Sequence, residues 1–394
     1  MRKSMVRLVT IAAPKGLQTG PFGSQLKAEE YVEFGVPVVM PKDIYAGKIV
    51  TDGIARVPES IAKKLTKHRI ATGDILFPRR GDLGRIGVVT QDNEGWLCGT
   101  GCLRARLKED VDTNYIHQYV QLESVKRWLN SNALGQTMLN LNTEIIGNLP
   151  ICIVPKREQT AIAFLLSTWN LAIEKDERLI AAKERQKKSL MQSLLTGNQR
   201  IKGFQKPWSE FHLGDLFKER SERASGHLPL VSITRESGII PRNEDRKDTS
   251  SEDKSKYLRI CPGDIGYNTM RMWQGVSALS SLEGIVSPAY TICSPKKGVD
   301  GEFMAYLFKL PRTINLFYRF SQGLTSDTWN LKYHHFRQIK VAIPEIEEQQ
   351  AIARILKVCD EEILLLNKEL AAIQKQKRGL MQRLLTGEWR VRVG

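Results

Sequence analysis

The chain has 394 residues, enough for two to four domains with cores of their own. Lysine and arginine number 59 against 43 aspartates and glutamates, a net charge of +16 that points to a polyanionic partner, nucleic acid ahead of membrane. No apolar run reaches the ~18 residues of a membrane span. The apolar part of the opening segment, residues 8–13, is too short for a secretory signal, so a cytoplasmic protein is expected.

In chain order, residues 1–155 read as a first α+β globule. Short β-rich runs at 36–39, 74–77 and 86–89 lie between Gly and Pro punctuation. Lys63, Lys64, Lys67 and Arg69 form a basic cluster, and Arg79, Arg80 and Arg85 follow the second run. The three-residue spacing of Gly81, Gly84 and Gly87 suits a hairpin better than a nucleotide cradle. A long helix is expected within residues 156–200, since 158–196 hold neither Pro nor Gly. Its apolar stripe is Ile162, Leu166, Trp169, Ile173, Ile180, Leu190 and Leu194, interrupted at Asp176, Lys183 and Lys187. A helix over 158–196 is about 58 Å long at ~1.5 Å per residue.

Residues 201–344 read as a second α+β globule, with β-rich runs at 230–233, 238–241 and 289–292. Asn268, Arg271, Trp273 and Gln274 follow Gly263-Asp264-Ile265 as the arginine cluster follows Gly73-Asp74-Ile75. His334 and His335 stand beside Lys332 and Arg337, a setting that suits phosphate better than a metal. A second long helix is expected within 345–394, with the stripe Ile352, Leu356, Cys359, Ile363, Leu366, Leu370, Ile373, Leu380 and Leu384, interrupted at Lys377. Gly197 and Gly387 stand where left-handed C-caps would end the two helices.

These segments are two copies of one half. Residues 186–197 return as 376–387 with nine of twelve positions identical, at an offset of 190. The same offset relates Glu158-Gln159 to Glu348-Gln349, Ala161-Ile162-Ala163 to Ala351-Ile352-Ala353, and the two Gly-Asp-Ile tripeptides. Each stripe is read as a coiled-coil seam, with an ordinary buried helix as the alternative. The expected architecture is two similar α+β globular domains joined by two long antiparallel helices in a coiled coil. The halves are then related by an approximate two-fold axis, and residues 389–394 end near the first globule.

Catalytic signatures are lacking. There is no phosphate-loop motif, no dinucleotide fingerprint, no Asn-Pro-Pro-aromatic tetrapeptide and no zinc-protease helix. The six cysteines are scattered; Cys98 and Cys102 have no second pair nearby, so neither a disulfide framework nor a zinc site is expected. What remains is chemistry suited to DNA. Arg and Lys match guanine or hold phosphate, and Asn and Gln match adenine. The candidate contacts are Lys63, Lys64, Arg79, Arg80 and Arg85 in the first half, and Asn268, Arg271, Trp273, Gln274 and Lys332 in the second.

The set of motifs resembles the specificity subunits of type I restriction-modification enzymes over nearly the whole chain. Each helix ends in Leu-Leu-Thr-Gly (194–197 and 384–387) and is preceded by Ile153-Val154-Pro155 or Ile343-Pro344 with Glu-Gln beyond. Similar pieces are Gly20-Pro21-Phe22-Gly23-Ser24 with Gly35-Val36-Pro37-Val38, Ser287-Pro288-Ala289-Tyr290, and Trp208 with Leu213-Gly214-Asp215. The resemblance implies two target-recognition domains and a non-catalytic chain that reads an asymmetric, two-part site in double-stranded DNA. It also implies assembly with two modification subunits, which carry the S-adenosylmethionine site, and with motor-nuclease subunits that use ATP and Mg. No cofactor is expected on this chain. A stand-alone coiled-coil DNA-binding protein is the alternative.

Overall fold

The computed structural model describes residues 4–22, 25–135, 139–223, 228–234, 238–242, 254–325 and 328–392. It divides into two compact units, Met1–Glu177 with Glu369–Gly394, and Arg178–Lys368. Among the described residues no helix is long and apolar enough to cross a membrane.

The first unit is built on an antiparallel sheet of four strands, in the order Ala12–Thr19, Cys102–Leu107, Ile75–Pro78, Gly87–Val88. Alternation along these strands buries both faces. Ile75, Phe77, Leu103 and Ala105 enter the main core with the short helices, while Leu76 and Cys102 enter a smaller one with Val39, Ile44 and Cys98. Beyond the smaller core lies a three-stranded sheet of Ala55–Val57, Val36–Val39 and Leu97–Cys98.

The second unit repeats the four-stranded sheet as Phe217–Glu219, Tyr290–Pro295, Ile265–Asn268 and Ser277–Leu279. Ile265, Tyr267 and Cys293 face its main core, and Ile292 faces a smaller one. Gly266 faces that smaller core because nothing larger fits: an added Cβ would stand 2.4 Å from Ile233 Cδ1.

The aspartate of each Gly-Asp-Ile tripeptide locks its sheet. Asp74 and Asp264 are 1 % and 2 % exposed, and each accepts from the backbone N–H three residues before it. Asp74 takes two 2.7 Å bonds from Arg106, and Asp264 takes bonds of 2.7 and 3.2 Å from Arg220. Arg106 lies on the second strand of its sheet and Arg220 just beyond the first strand of the other, so the aspartate is repeated and its partner is not.

The long helices run over Lys156–Leu194 and Ile346–Leu385, and Gly197 and Gly387 follow with φ of +73° and +68°, the left-handed region glycine adopts without strain. All sixteen stripe positions picked from the sequence are buried or half-buried. Ile162, Leu166 and Leu384 join the first unit's core, and Leu194, Ile352 and Leu356 the second's. Within the second unit Lys183 pairs with Glu362 at 2.6 Å, and Lys187 pairs with Asp360. Within this unit, climbing one helix therefore descends the other.

The Glu-Gln pairs that open the helices are structural. Gln159 accepts from Asp112 N–H and donates to Val154 O; Gln349 accepts from Asp300 N–H and donates to Pro344 O. Glu158 is clamped by Arg390 and Glu348 by Arg200, each through two bonds of 2.6–2.7 Å. Arg200 and Arg390 stand 190 residues apart, so each helix is locked at its start by the tail of the other. Arg390's two bonds, helped by Val391 N–H, outweigh burial and hold the Glu158 carboxyl below the usual range.

Candidate nucleic-acid interface

In each unit the loop from the third to the fourth strand of the sheet leaves the core at the same place. In the first unit it carries the three arginines. Arg80 is exposed, and Arg85 is exposed and paired with Asp82 at 3.3 Å. Arg79 is half-buried: its Nε donates to Leu141 O and its guanidinium lies 5.6 Å from the centre of the Phe22 ring. Its backbone also binds Leu141 N–H, so Arg79 ties the loop to residues 139–141. Lys63 and Lys64 are exposed at the end of the helix Glu59–Lys64, on the side of the smaller sheet rather than on this loop.

In the second unit the loop holds Arg271, Trp273 and Gln274, with Arg271 and Gln274 exposed. Asn268 is half-buried and its Oδ1 accepts from Met270 N–H, shaping the turn. Trp273 donates its indole N–H to Met270 O and packs edge-on against Trp329 at 5.2 Å. Trp329 in turn meets Tyr318 edge-on at 4.8 Å. Lys332 is exposed at the start of the short helix Tyr333–Phe336, one residue after Leu331, whose N–H binds Thr269 O. The His334 and His335 ring centres lie 3.6 Å apart with the planes tilted by 44°, and burial together with His334 and Lys332 lowers the His335 pKa.

Cys98 and Cys102 are fully buried; burial pushes the Cys98 thiol up to about 12. Among the described residues no group of three His, Cys, Asp or Glu side chains could hold a metal ion.

Trp329 and Tyr318 were not singled out by sequence. They lie far along the chain from residues 268–274 and reach the loop only through the fold. Gly23 and Ser24, part of one sequence motif, lie outside the described residues.

The chain matches the family described as the type I restriction modification DNA specificity domain twice, over residues 23–184 and 205–375. It belongs to that family. A member of the family is the DNA-reading part of a type I system, and its chemistry is recognition rather than catalysis. Curated relatives are the putative type I restriction enzyme MjaX specificity subunit and the MjaVIII specificity subunit of Methanocaldococcus jannaschii. Each is 25 % identical, over 91 % of this chain and 88 % of the first relative, and over 92 % and 91 % for the second. The type I system S subunit of M. genitalium has a similar fold, with TM-score 0.58 at 16 % identity over 98 % of this chain and 96 % of that one. A chain from a structure of type I system assembly and conformational transition gives 0.61 at 16 % identity, covering 98 % of each.

Proposed function

We propose that this chain reads an asymmetric, two-part DNA sequence, one half-site by each globule, as the specificity subunit of a type I restriction-modification complex. The observation that carries this is the repeated loop. One scaffold presents it twice at the same place in the sheet, once with arginines and once with aromatic and amide groups. A duplicated frame with unlike reading surfaces calls for two unlike half-sites separated by unread bases.

In this reading residues 1–155 and 201–344 are the target-recognition domains. The helices within 156–200 and 345–394 are antiparallel partners in a coiled coil that relates the halves by an approximate two-fold axis. The local two-folds of duplex DNA suit such a protein. Arg79 positions its loop, Arg80 and Arg85 reach guanine or phosphate, and Lys63, Lys64 and Lys332 hold phosphate. Arg271, Trp273 and Gln274 face bases, while Asn268 shapes their loop. Two modification subunits supply S-adenosylmethionine chemistry, and motor-nuclease subunits supply ATP- and Mg-dependent cleavage.

The test is to replace residues 201–344 with a second copy of 1–155 and to map methylation in cells carrying the partner subunits. A palindromic motif is expected. If the active chimera retains the parental asymmetric motif, the assignment of one half-site to each globule is wrong.

A further inference from the structure

The second globule carries an aromatic cluster that its fold does not require. Trp273, Trp329 and Tyr318 meet edge-on at 5.2 and 4.8 Å, with Tyr318 47 % exposed and both indoles half-exposed. The first copy shows what the scaffold itself needs. Leu331 N–H binds Thr269 O as Leu141 N–H binds Arg79 O, which places Trp329 at the position of Leu139. Ser321 N–H closes its helix on Phe317 O as Ala133 N–H does on Leu129 O, which places Tyr318 at the position of Asn130. Residues 79–86 contain no aromatic side chain. The same frame thus closes without the rings. Scaffold groups such as Asp74 and Asp264 recur in both copies, and these rings do not.

The surroundings suit DNA. Arg271, Arg319 and Lys332 are exposed near the rings in the chain, and no side-chain hydrogen bond or ion pair engages their cationic groups among the described residues. Cations around an apolar centre match phosphates around a base edge. The Trp273 indole N–H is already engaged by Met270 O, so this ring offers carbon rather than a donor. In the major groove the apolar feature of a base is the C5-methyl group of thymine.

We infer that Trp273, Trp329 and Tyr318 form a thymine-methyl contact that helps to specify the second half-site, while the first globule reads its half-site by charged and polar contacts. This rests on the reading of one half-site per globule, and the experiment separates the two. The motif is first mapped by methylome sequencing. Binding of the complex of this chain with its modification subunits is then measured at fixed salt on duplexes in which each thymine is replaced singly by deoxyuridine. Pairing is retained and one methyl is lost.

The expected result is about fourfold weaker binding for at least one thymine of the second half-site. The variants Trp329→Leu and Tyr318→Asn, which install side chains found at the equivalent places of the first copy, should erase that thymine-to-deoxyuridine ratio and leave first-half-site recognition intact. If no second-half-site deoxyuridine weakens the wild type while exchange of the second globule still changes that half-site, the methyl contact is overturned and the two-globule reading stands. If the variants keep the ratio, or lose subunit assembly in place of it, the rings serve a protein interface or the surface alone, and the inference fails. If exchange of the globule changes neither half-site, the underlying reading fails.

Discussion

Replacing Asp74 by Asn keeps the side chain's shape and removes its charge, and the cost follows from the neighbours left behind. Arg106 loses a two-point ion pair of 2.7 Å bonds. Arg104, 7 % exposed, loses the carboxylate 4.0 Å away and keeps only the carbonyls of Lys67, Arg69 and Lys15. Burial already lowers the Arg104 pKa, and the nearby Asp74 charge is the main influence opposing that. An uncompensated buried charge costs about 3–5 kcal/mol. Asp264→Asn is milder, because Arg220 still has Glu222 at 3.2 Å and Ser294 can still donate to the amide oxygen. About 1–3 kcal/mol is expected there. Hydrogen exchange read by mass spectrometry over residues 72–78 and 102–107, against 262–268 and 290–295, reports each sheet separately. Exchange in the first sheet should quicken by roughly two to three and a half powers of ten, and in the second by at most about two. Equal or reversed effects would refute the view that Arg104 depends on Asp74.

Three further outcomes are expected. Arg80→Ala should flatten the log–log salt dependence of DNA binding by about 0.9, whereas Arg79→Ala, which frees the Leu141 carbonyl, should blur the first half-site; an unchanged slope and motif would make both surface charges. The Glu158–Arg390 clamp stabilises the fold fully above the unfolded carboxylate pKa of about 4.3 and is lost as pH falls through the lower folded value. Protection of residues 389–392, taken as exchange relative to that of an unstructured peptide at the same pH, should therefore fall on acidification from about pH 6 to about pH 3, and Glu158→Gln should show that low protection already at neutral pH; a tail indifferent to both rejects the clamp. Four residues inserted near Ala181 and four near Ala371 lengthen both helices by about 6 Å, and both inserts lie to one side of the Lys183–Glu362 pair. The gap in the methylated motif should widen by one to three base pairs, since a step is ~3.4 Å; an assembled complex that keeps the old gap shows that the helices do not set it.

What the sequence made legible was whatever the chain repeats. The offset of 190 located both long helices, their glycine ends, the Gly-Asp-Ile corners and the Glu-Gln pairs, because residues that hold a frame recur wherever the frame does. The pairing of those residues was not legible. Arg200 and Arg390 obey the same offset, yet each clamps the glutamate of the other copy, and only a fold that brings a tail back to the opposite helix shows why. Arg106 and Arg220 obey no offset, since the same carboxylate is served from different places in the two sheets. Arg79 looked like a free cation beside Arg80, but a carbonyl at the sheet's end and the Phe22 ring engage it. The reading surface was the least legible of all, and for a physical reason. A specificity loop is released from the frame's packing demands, so it leaves no periodicity. Its proposed members, such as Trp273 and Trp329, are gathered from distant segments by contacts that belong to the frame. Comparing the two copies reverses that difficulty: side chains that the second unit places on the shared loop and the first unit lacks are those the fold can dispense with, and that is where selection for a different half-site can act.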